Sequence, residues 1–218
     1  MCSHYQAIKD RPKFEKAFNV KLPPYEGVND VWPMYQAFFV RRPLAADAGD
    51  DAVPAREALP GVFGLIPSWA KDDKFARRTF NARSETATTL PSFRDAWRKG
   101  HKCIIPADAI YEPDWRTGKA QATRIARSDG EPMGLAGLWS VWKSPSGVWV
   151  ASFTMLTINA DDHALMRHYH KPADEKRMVV ILPEASYTDW LTAPASQNKA
   201  FLQQYPADRM VAESRAVG

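Results

Sequence analysis

The chain is poor in cysteine and has no long apolar run. Its 218 residues include only two cysteines, Cys2 and Cys103, and no Cys-x-x-Cys pair, which excludes a disulfide framework and a cysteine-rich zinc site. The longest uninterrupted apolar segment is 178–182, far short of the roughly 20 residues that a membrane helix requires. The N-terminus also lacks the basic and then apolar pattern of a signal peptide. We therefore expect a protein of the reducing cytoplasm without a membrane partner.

A large excess of either charge is also absent. Lysine and arginine number 29 against 25 aspartate and glutamate residues, a net charge of +4. A balance this small does not by itself indicate a nucleic-acid partner, although pairs of cations occur at 41–42, 77–78 and 98–99. Apolar residues make up 45% of the chain, enough for one hydrophobic core, and the length is short for two domains. We expect a single domain over residues 2–218.

The local patterns predict an α+β fold with a largely antiparallel, barrel-like sheet flanked by short helices. Apolar and aromatic segments predict strands at 31–42, 102–105, 121–126, 133–142, 149–158 and 178–182. Helical patterns with start signals occur at 71–78, 92–99, 161–168 and 184–191. Segment 45–58 is expected to be an exposed loop and 212–218 a frayed tail. Of the eight tryptophans, Trp139, Trp142 and Trp149 are expected to be structural, and Cys103 to be a buried, inert thiol.

Cys2 is the most informative residue. If the initiator methionine is removed, which a small second residue generally permits, Cys2 carries an amine and a thiol on adjacent carbons. The α-amine has a reference pKa of about 7.7 to 8.0, so a useful fraction is unprotonated at neutral pH and forms an imine with an aldehyde. The thiol then closes a five-membered thiazolidine ring. Cys2 is therefore a candidate aldehyde trap, although a cysteine at position two is incidental in most proteins.

Further segments carry a family resemblance when they are taken in order with the initial Met-Cys. They are GLIPSW at 64–69, NARSET at 81–86, IPADAIYE at 105–112, Leu138-Trp139, and His170 followed by RMVVILP at 177–183. Together they resemble the SRAP-domain family of abasic-site processing proteins, from Cys2 to about Leu191. Any one segment alone is weak, but their shared order is specific.

The resemblance implies that the protein holds single-stranded DNA and links Cys2 to the ring-opened aldehyde of an abasic sugar. Asn81 matches the asparagine that orients the cysteine and the sugar. Glu112 matches the catalytic glutamate, which relays protons during imine formation and ring closure. His170 matches the histidine whose near-neutral pKa assists opening of the sugar, and His168 is the competing candidate.

The resemblance also implies a DNA surface. Trp69 matches a position that stacks on a base, and Arg83 one that holds a phosphate. Arg177 is a further candidate DNA contact. His4 stands where the family usually has arginine, and we expect it to replace that contact only weakly. The expected partner is single-stranded DNA with abasic sites, including replication-fork DNA, bound by a monomer.

The sequence departs from the family pattern at two further places. Pro113 follows the glutamate where the family usually has tryptophan. Segment 171–176 separates His170 from Arg177, where many members have a single residue, and it is expected to form a surface turn. The inserted segment bears on which histidine acts and on whether Arg177 reaches DNA.

Two other functions use some of the same residues. Cys2, with His170 and Asn81, fits an N-terminal-nucleophile cysteine peptidase that cleaves its own leading methionine. A single-stranded DNA-binding module without catalysis needs the arginines and Trp69 but not Cys2. His168 and His170 resemble a metal-ligand pair but lack a cysteine or acidic partner at zinc spacing, so we expect no metal and no cofactor.

Overall fold

Thirteen strands and a few short helices make up the described part of the chain. The computed structural model describes residues 2–24, 27–44 and 53–214. The strands are β1 (His4–Gln6), β2 (Asp30–Val31), β3 (Gln36–Arg41), β4 (Glu57–Phe63), β5 (Asn81–Arg83), β6 (Lys102–Ala107), β7 (Ala109–Asp114), β8 (Gln121–Arg127), β9 (Met133–Lys143), β10 (Trp149–Asn159), β11 (Arg177–Val179), β12 (Ile181–Leu182) and β13 (Met210–Ser214). The α-helices are α1 (Arg11–Phe18), α2 (Arg94–Arg98) and α3 (Tyr187–Thr192). Short 3₁₀ turns cover Asp73–Arg78, Met166–His168, Glu184–Ser186, Ala195–Phe201 and Ala207–Arg209.

Five strands close into a barrel. β3 pairs with β4, β4 with β10, β10 with β9, β9 with β6, and β6 returns to β3. Every contact in this ring is antiparallel except that between β4 and β10. Phe39, Phe63 and Phe153 lie inside, with the Phe153 ring centroid 5.6 Å from each of the other two. The expected antiparallel, barrel-like α+β fold is confirmed.

A second sheet covers the barrel. Its strands run in the order β13, β8, β7, β1 and β2, and all of them are antiparallel. Tyr5 of β1 contacts Phe63 of the barrel edge to face, with ring centroids 5.3 Å apart. The residues between the two sheets belong to one continuous hydrophobic core. The segment that begins with Cys2 therefore enters between the two sheets.

Two short strands extend the barrel near its end. β5 lies parallel to the last part of β10, with Asn81 opposite Met155. β11 is antiparallel to the same strand, with Arg177 opposite Asn159. Gly64 directly follows β4 and lets the chain pass close to Ala76, because its φ is +116° and a Cβ atom there would strike the Ala76 backbone. These pairings place residues that are distant in sequence at one end of β10.

The long strand predicted at 31–42 is interrupted. A turn separates β2 from β3, closed by a hydrogen bond from the Tyr35 amide to the Trp32 carbonyl at 2.9 Å. Pro33 has no amide hydrogen for a ladder and fixes its own φ, and Met34 follows with φ of +78°. This turn leaves Trp32 and Tyr35 exposed.

The predicted helices are shorter than expected. Segment 71–78 forms only a 3₁₀ turn from Asp73, 92–99 forms α2, 161–168 is regular only at Met166–His168, and 184–191 is divided between a 3₁₀ turn and α3. Local side-chain bonds compete with the helix at 161, where the Asp161 amide donates to Asn159 Oδ1 at 2.9 Å. The prediction also missed α1, although Asp10 caps it by accepting from the Lys13 amide at 2.9 Å and Pro12 lies in its first turn.

The chain ends and one tryptophan also correct the predictions. Residues 212–214 are not frayed but belong to β13, which pairs with β8. Residues 215–218 and 45–52 lie outside the described residues, and 57–58 begin β4. Trp139, Trp142 and Cys103 are buried as predicted, whereas Trp149 is 66% exposed at the end of a hairpin. Trp149 is the first residue of β10 and directly follows the turn 144–148, so it lies at the outer end of the strand pair.

Candidate functional site

Asn81 holds the backbone of Cys2. Cys2 is buried just before β1, and its thiol donates a 3.3 Å hydrogen bond to the His4 carbonyl. The Asn81 Nδ2 group donates a 2.7 Å hydrogen bond to the Cys2 carbonyl oxygen. β5 sets the position of this amide through its pairing with β10. The structure thus brings together two predicted site residues that are 79 positions apart.

Glu112 is a buried carboxyl group close to the thiol. It lies on β7, and burial raises its pKa to about 7. Burial, and then the charge of Glu112, raises the pKa of the Cys2 thiol far above its usual value. A carboxyl group with this pKa is largely protonated below pH 7, so it can donate a proton in a neutral solution.

His170 faces the same carboxyl group. Its Nδ1 lies 3.4 Å from Glu112 Oε2, and its Nε2 lies 3.1 Å from the Arg177 carbonyl oxygen. Because a carbonyl oxygen only accepts, we assign the ring hydrogen to Nε2, which leaves Nδ1 as an acceptor toward Glu112. Burial lowers the pKa of His170 to about 4, so the ring carries no charge at pH 7. The near-neutral pKa that the resemblance implied for this histidine is therefore wrong.

The backbone around His170 fixes this orientation. The residue has φ of +65°, in the left-handed region that few non-glycine residues adopt. Its amide donates a 3.0 Å hydrogen bond to the Pro113 carbonyl, next to Glu112 on β7. Pro113, a departure from the family pattern, thus supplies a backbone contact that aligns the two catalytic candidates. His168 is half-buried two residues earlier, and the contact with Glu112 is made by His170.

Comparison with known proteins decides the family. The profile of the family described as "SOS response associated peptidase (SRAP)" matches residues 1–217. The chain belongs to the SRAP family. It is 35% identical over 154 residues to the abasic site processing protein YoqW of Bacillus subtilis, and 30% identical over 133 residues to the abasic site processing protein HMCES of Gallus gallus. These matches cover 69% and 51% of this chain, and 65% and 40% of the relatives, so the chain spans less than two thirds of their length.

Solved structures share the SRAP fold of this chain. A protein from Bordetella bronchiseptica is 53% identical and superimposes with a TM-score of 0.90, over 99% of this chain and 100% of the other. A protein from Bacteroides thetaiotaomicron, 19% identical, superimposes with a TM-score of 0.78 over 99% of this chain and 93% of the other. The second match shows that the fold persists where little of the sequence does.

The predicted DNA-contact arginines of this SRAP domain are both paired with carboxylates. The Arg83 side chain is 48% exposed and its Nη1 lies 2.8 Å from Glu175 Oε2. Arg177 is 2% exposed, with Nη2 2.8 Å from Glu85 Oε2 and Nη1 2.6 Å from Glu175 Oε1. Arg83 is therefore accessible to a ligand, whereas Arg177 is part of the scaffold that supports His170. Both glutamates lie in segments that the sequence analysis singled out, 81–86 and 171–176, but their pairing with the arginines was not predicted.

Trp69 and His4 have different surroundings. Trp69 is 50% exposed, and its indole stands edge to face on Phe75 with ring centroids 5.0 Å apart. His4 is buried between Trp32 and Tyr111, with ring centroids 4.1 Å from each. Its Nε2 lies 2.8 Å from Asp30 Oδ1. The Trp69 indole is therefore accessible to a ligand, whereas His4 is buried in a stack of three rings.

Metal-binding clusters and membrane-spanning helices are both absent from the described part of the chain. No group of three or more histidine, cysteine, aspartate or glutamate side chains within 2–24, 27–44 and 53–214 is arranged to hold a metal ion. Among the same residues, no helix has the length and apolar character needed to cross a bilayer.

Proposed function

We propose that this protein captures abasic sites in single-stranded DNA by forming a thiazolidine between Cys2 and the ring-opened sugar aldehyde. The observation that carries the proposal is the hydrogen bond from Asn81 to the Cys2 carbonyl, beside the buried Glu112–His170 pair. The names of the relatives YoqW and HMCES agree with abasic sites as the target. We propose further that the protein acts as a monomer in the cytoplasm, on single strands such as those at replication forks.

The first step is attack of the Cys2 amine on the aldehyde carbon, once Met1 has been removed and the sugar has opened. Opening of the hemiacetal breaks the bond between C1 and the ring oxygen, takes the proton from the C1 hydroxyl group and adds one to the ring oxygen. The neutral His170 ring, with Nδ1 as acceptor toward Glu112, assists this proton transfer together with Glu112. Asn81 keeps the amine in place through the Cys2 carbonyl. The product of this step is a carbinolamine, in which the new C–N bond has formed and the aldehyde oxygen has become a hydroxyl group.

Glu112 then acts twice. Its protonated form gives a proton to the carbinolamine hydroxyl, which leaves as water and produces an iminium ion. The Cys2 thiol passes its proton to the Glu112 carboxylate, and the sulfur adds to the iminium carbon. Glu112 is restored, and the sum of the steps is aldehyde plus aminothiol giving thiazolidine plus water. The raised pKa of the thiol keeps it protonated until the cationic iminium ion is present.

The DNA strand is held by contacts that do not depend on its sequence. The exposed face of Trp69 suits stacking on a base, which contributes about 1 to 3 kcal/mol per base. Arg83 suits a phosphate because it lies on the same short strand as Asn81 and is half exposed. Lesion recognition is therefore expected to be largely independent of the flanking bases.

A single gel tests the function. We expect the chain to form an SDS-stable conjugate with a uracil-containing single strand that has been treated with uracil glycosylase, and none with the untreated strand. A peptidase would instead yield cleaved peptide and only a transient thioester. A pure binding module would shift the DNA in a native gel without a conjugate under denaturing conditions, and that result would refute the proposal.

The pH dependence of conjugate formation tests Glu112. Protonated Glu112 is the acid, and since burial raises its pKa to about 7, it is present below pH 7 and lost above it. The amine, with a reference pKa of about 7.7 to 8.0, becomes reactive as the pH rises. We expect a bell-shaped rate profile with its maximum between about pH 7 and 8.

The variant Glu112→Gln separates the two limbs of that profile. It keeps the shape of the side chain but cannot titrate, so the rate should fall by about 10²- to 10⁴-fold and the alkaline limb should disappear. Single-turnover rates across the pH range measure both effects. An alkaline limb that survives in Glu112→Gln would assign it to a different group.

A further inference from the structure

One carboxylate lies between the two arginines near His170. Glu175 Oε2 is 2.8 Å from Arg83 Nη1, and Glu175 Oε1 is 2.6 Å from Arg177 Nη1. Asn159 Nδ2 lies 3.4 Å from the same Oε1 atom. Guanidinium and amide donors from β5, β10 and β11 thus converge on one anionic group, and they form an anion-binding position at the end of β10.

The anion that fills this position is on a surface turn. Glu175 belongs to segment 171–176, in which the Asp174 amide donates a 3.0 Å hydrogen bond to the Lys171 carbonyl. The Glu175 side chain is 37% exposed, so it can turn away from the protein into water. The hydrogen bond from Arg177 lowers the pKa of Glu175, so the group is ionised at neutral pH.

Arg177 does not need Glu175 to remain in place. Its Nη2 lies 2.8 Å from Glu85 Oε2 and 2.8 Å from the Thr157 carbonyl oxygen. Its Nε donates to Thr157 Oγ1 at 3.3 Å. Departure of the Glu175 carboxylate would therefore leave Arg177 paired and would release mainly Arg83.

We infer that Glu175 occupies, in the free protein, the position that a DNA phosphate takes on Arg83, and that it lowers DNA affinity by competing with that phosphate. The inference rests on the proposed function, because it concerns the same bound strand. A phosphate oxygen and a carboxylate oxygen make the same charge-assisted hydrogen bonds to a guanidinium group, and two anions on one guanidinium group repel each other, so the phosphate and Glu175 compete for Arg83. Binding requires Glu175 to swing outward, and its charge then also repels the strand.

The variant Glu175→Gln tests the competition. Glutamine keeps the size of the side chain and an acceptor for Arg177 but removes the charge. Exposed ion pairs of this kind are weak, so we expect undamaged single-stranded DNA to bind about two- to fivefold more tightly at low salt. Fluorescence anisotropy with a labelled oligothymidine measures the change, and thermal unfolding checks that the fold is retained.

Two further variants separate a local competition from a general change in charge. Asp174→Asn removes the same charge one residue away, and we expect it to raise the affinity less than Glu175→Gln does. In an Arg83→Ala background, Glu175→Gln should raise the DNA affinity no more than Asp174→Asn does, because the phosphate no longer has the Arg83 donor.

The outcomes are distinct. Equal effects of Glu175→Gln and Asp174→Asn, or a gain from Glu175→Gln that persists without Arg83, would overturn the inference while leaving the proposed function intact. If the parent chain does not bind single-stranded DNA at all, the proposed function fails and this inference fails with it.

Discussion

An N-terminal extension that stays attached to the chain is expected to abolish the stable DNA conjugate. In the proposed mechanism the α-amine of Cys2 is a reactant, so an amide bond at that nitrogen removes imine formation altogether and not only a catalytic contribution. Noncovalent binding through Trp69 and Arg83 should persist, because neither contact needs the amine. The measurement is conjugate yield on a denaturing gel beside binding on a native gel, with the mass of the extended chain verified before and after the reaction.

Matched variants isolate the amine from the thiol. The same extension placed after residue 218 should leave the conjugate unchanged. Cys2→Ser keeps an amine and loses the strong nucleophile, so borohydride should still trap an imine while the spontaneous stable link disappears. Undiminished conjugation by a chain whose extension is still present would contradict the proposed chemistry. Removal of the extension by the chain itself would instead favour the N-terminal-nucleophile peptidase.

Loss of the His170 imidazole is expected to slow conjugate formation by about 10²- to 10⁴-fold. Its Nδ1 faces Glu112 at 3.4 Å, and in the proposed mechanism the two groups share the protons that open the sugar and restore it. A catalyst of one direction must also assist the other, so reversal should slow by a similar factor and the equilibrium yield should hardly change. Formation and reversal rates on the same abasic strand measure both factors.

The backbone at His170 determines which variant is informative. Because φ is +65°, His170→Ala adds backbone strain to the loss of the ring, whereas His170→Asn tolerates the left-handed conformation. We expect both variants to slow conjugate formation, and we expect His170→Asn to keep a higher free energy of unfolding than His170→Ala. His168→Ala is the matched control and should cost little. A normal rate for His170→Asn together with a large loss for His168→Ala would place the catalytic imidazole at residue 168.

The pairing of His170 with Glu112 follows from contacts that no sequence pattern encodes. The family resemblance identified both residues, but the tautomer depends on the Arg177 carbonyl, which accepts from Nε2. The two pKa shifts, upward for Glu112 and downward for His170, arise mainly from burial between the sheets. Burial of this kind depends on how distant strands pack, which the sequence does not show. The expectation of a near-neutral pKa for His170 was wrong for this reason.

The two candidate DNA-contact arginines differ for a similar reason. In the sequence, Arg83 matches a phosphate-holding position of the family, while the inserted turn 171–176 left open whether Arg177 reaches DNA. β11 turns Arg177 inward against Glu85, while the short strand β5 leaves Arg83 at the surface. An arginine in a sequence does not reveal whether its partner is a phosphate or a carboxylate of the same chain.

The sequence by itself determined the fold class and the family, and the family resemblance named the candidate site residues. Alternating apolar residues and turn signals are local, so they predicted most of the strands, and the order of the short motifs was enough to indicate the family. The interruption of the strand after Val31 and the early break near residue 161 have local causes, Pro33 with its turn and the Asn159–Asp161 hydrogen bond, which the apolar pattern does not weigh. The tertiary structure alone decided the burial of Glu112 and His170 and the place of Glu175 between two arginines. Both depend on strands that are far apart in the chain and pack together, and no local preference contains that information.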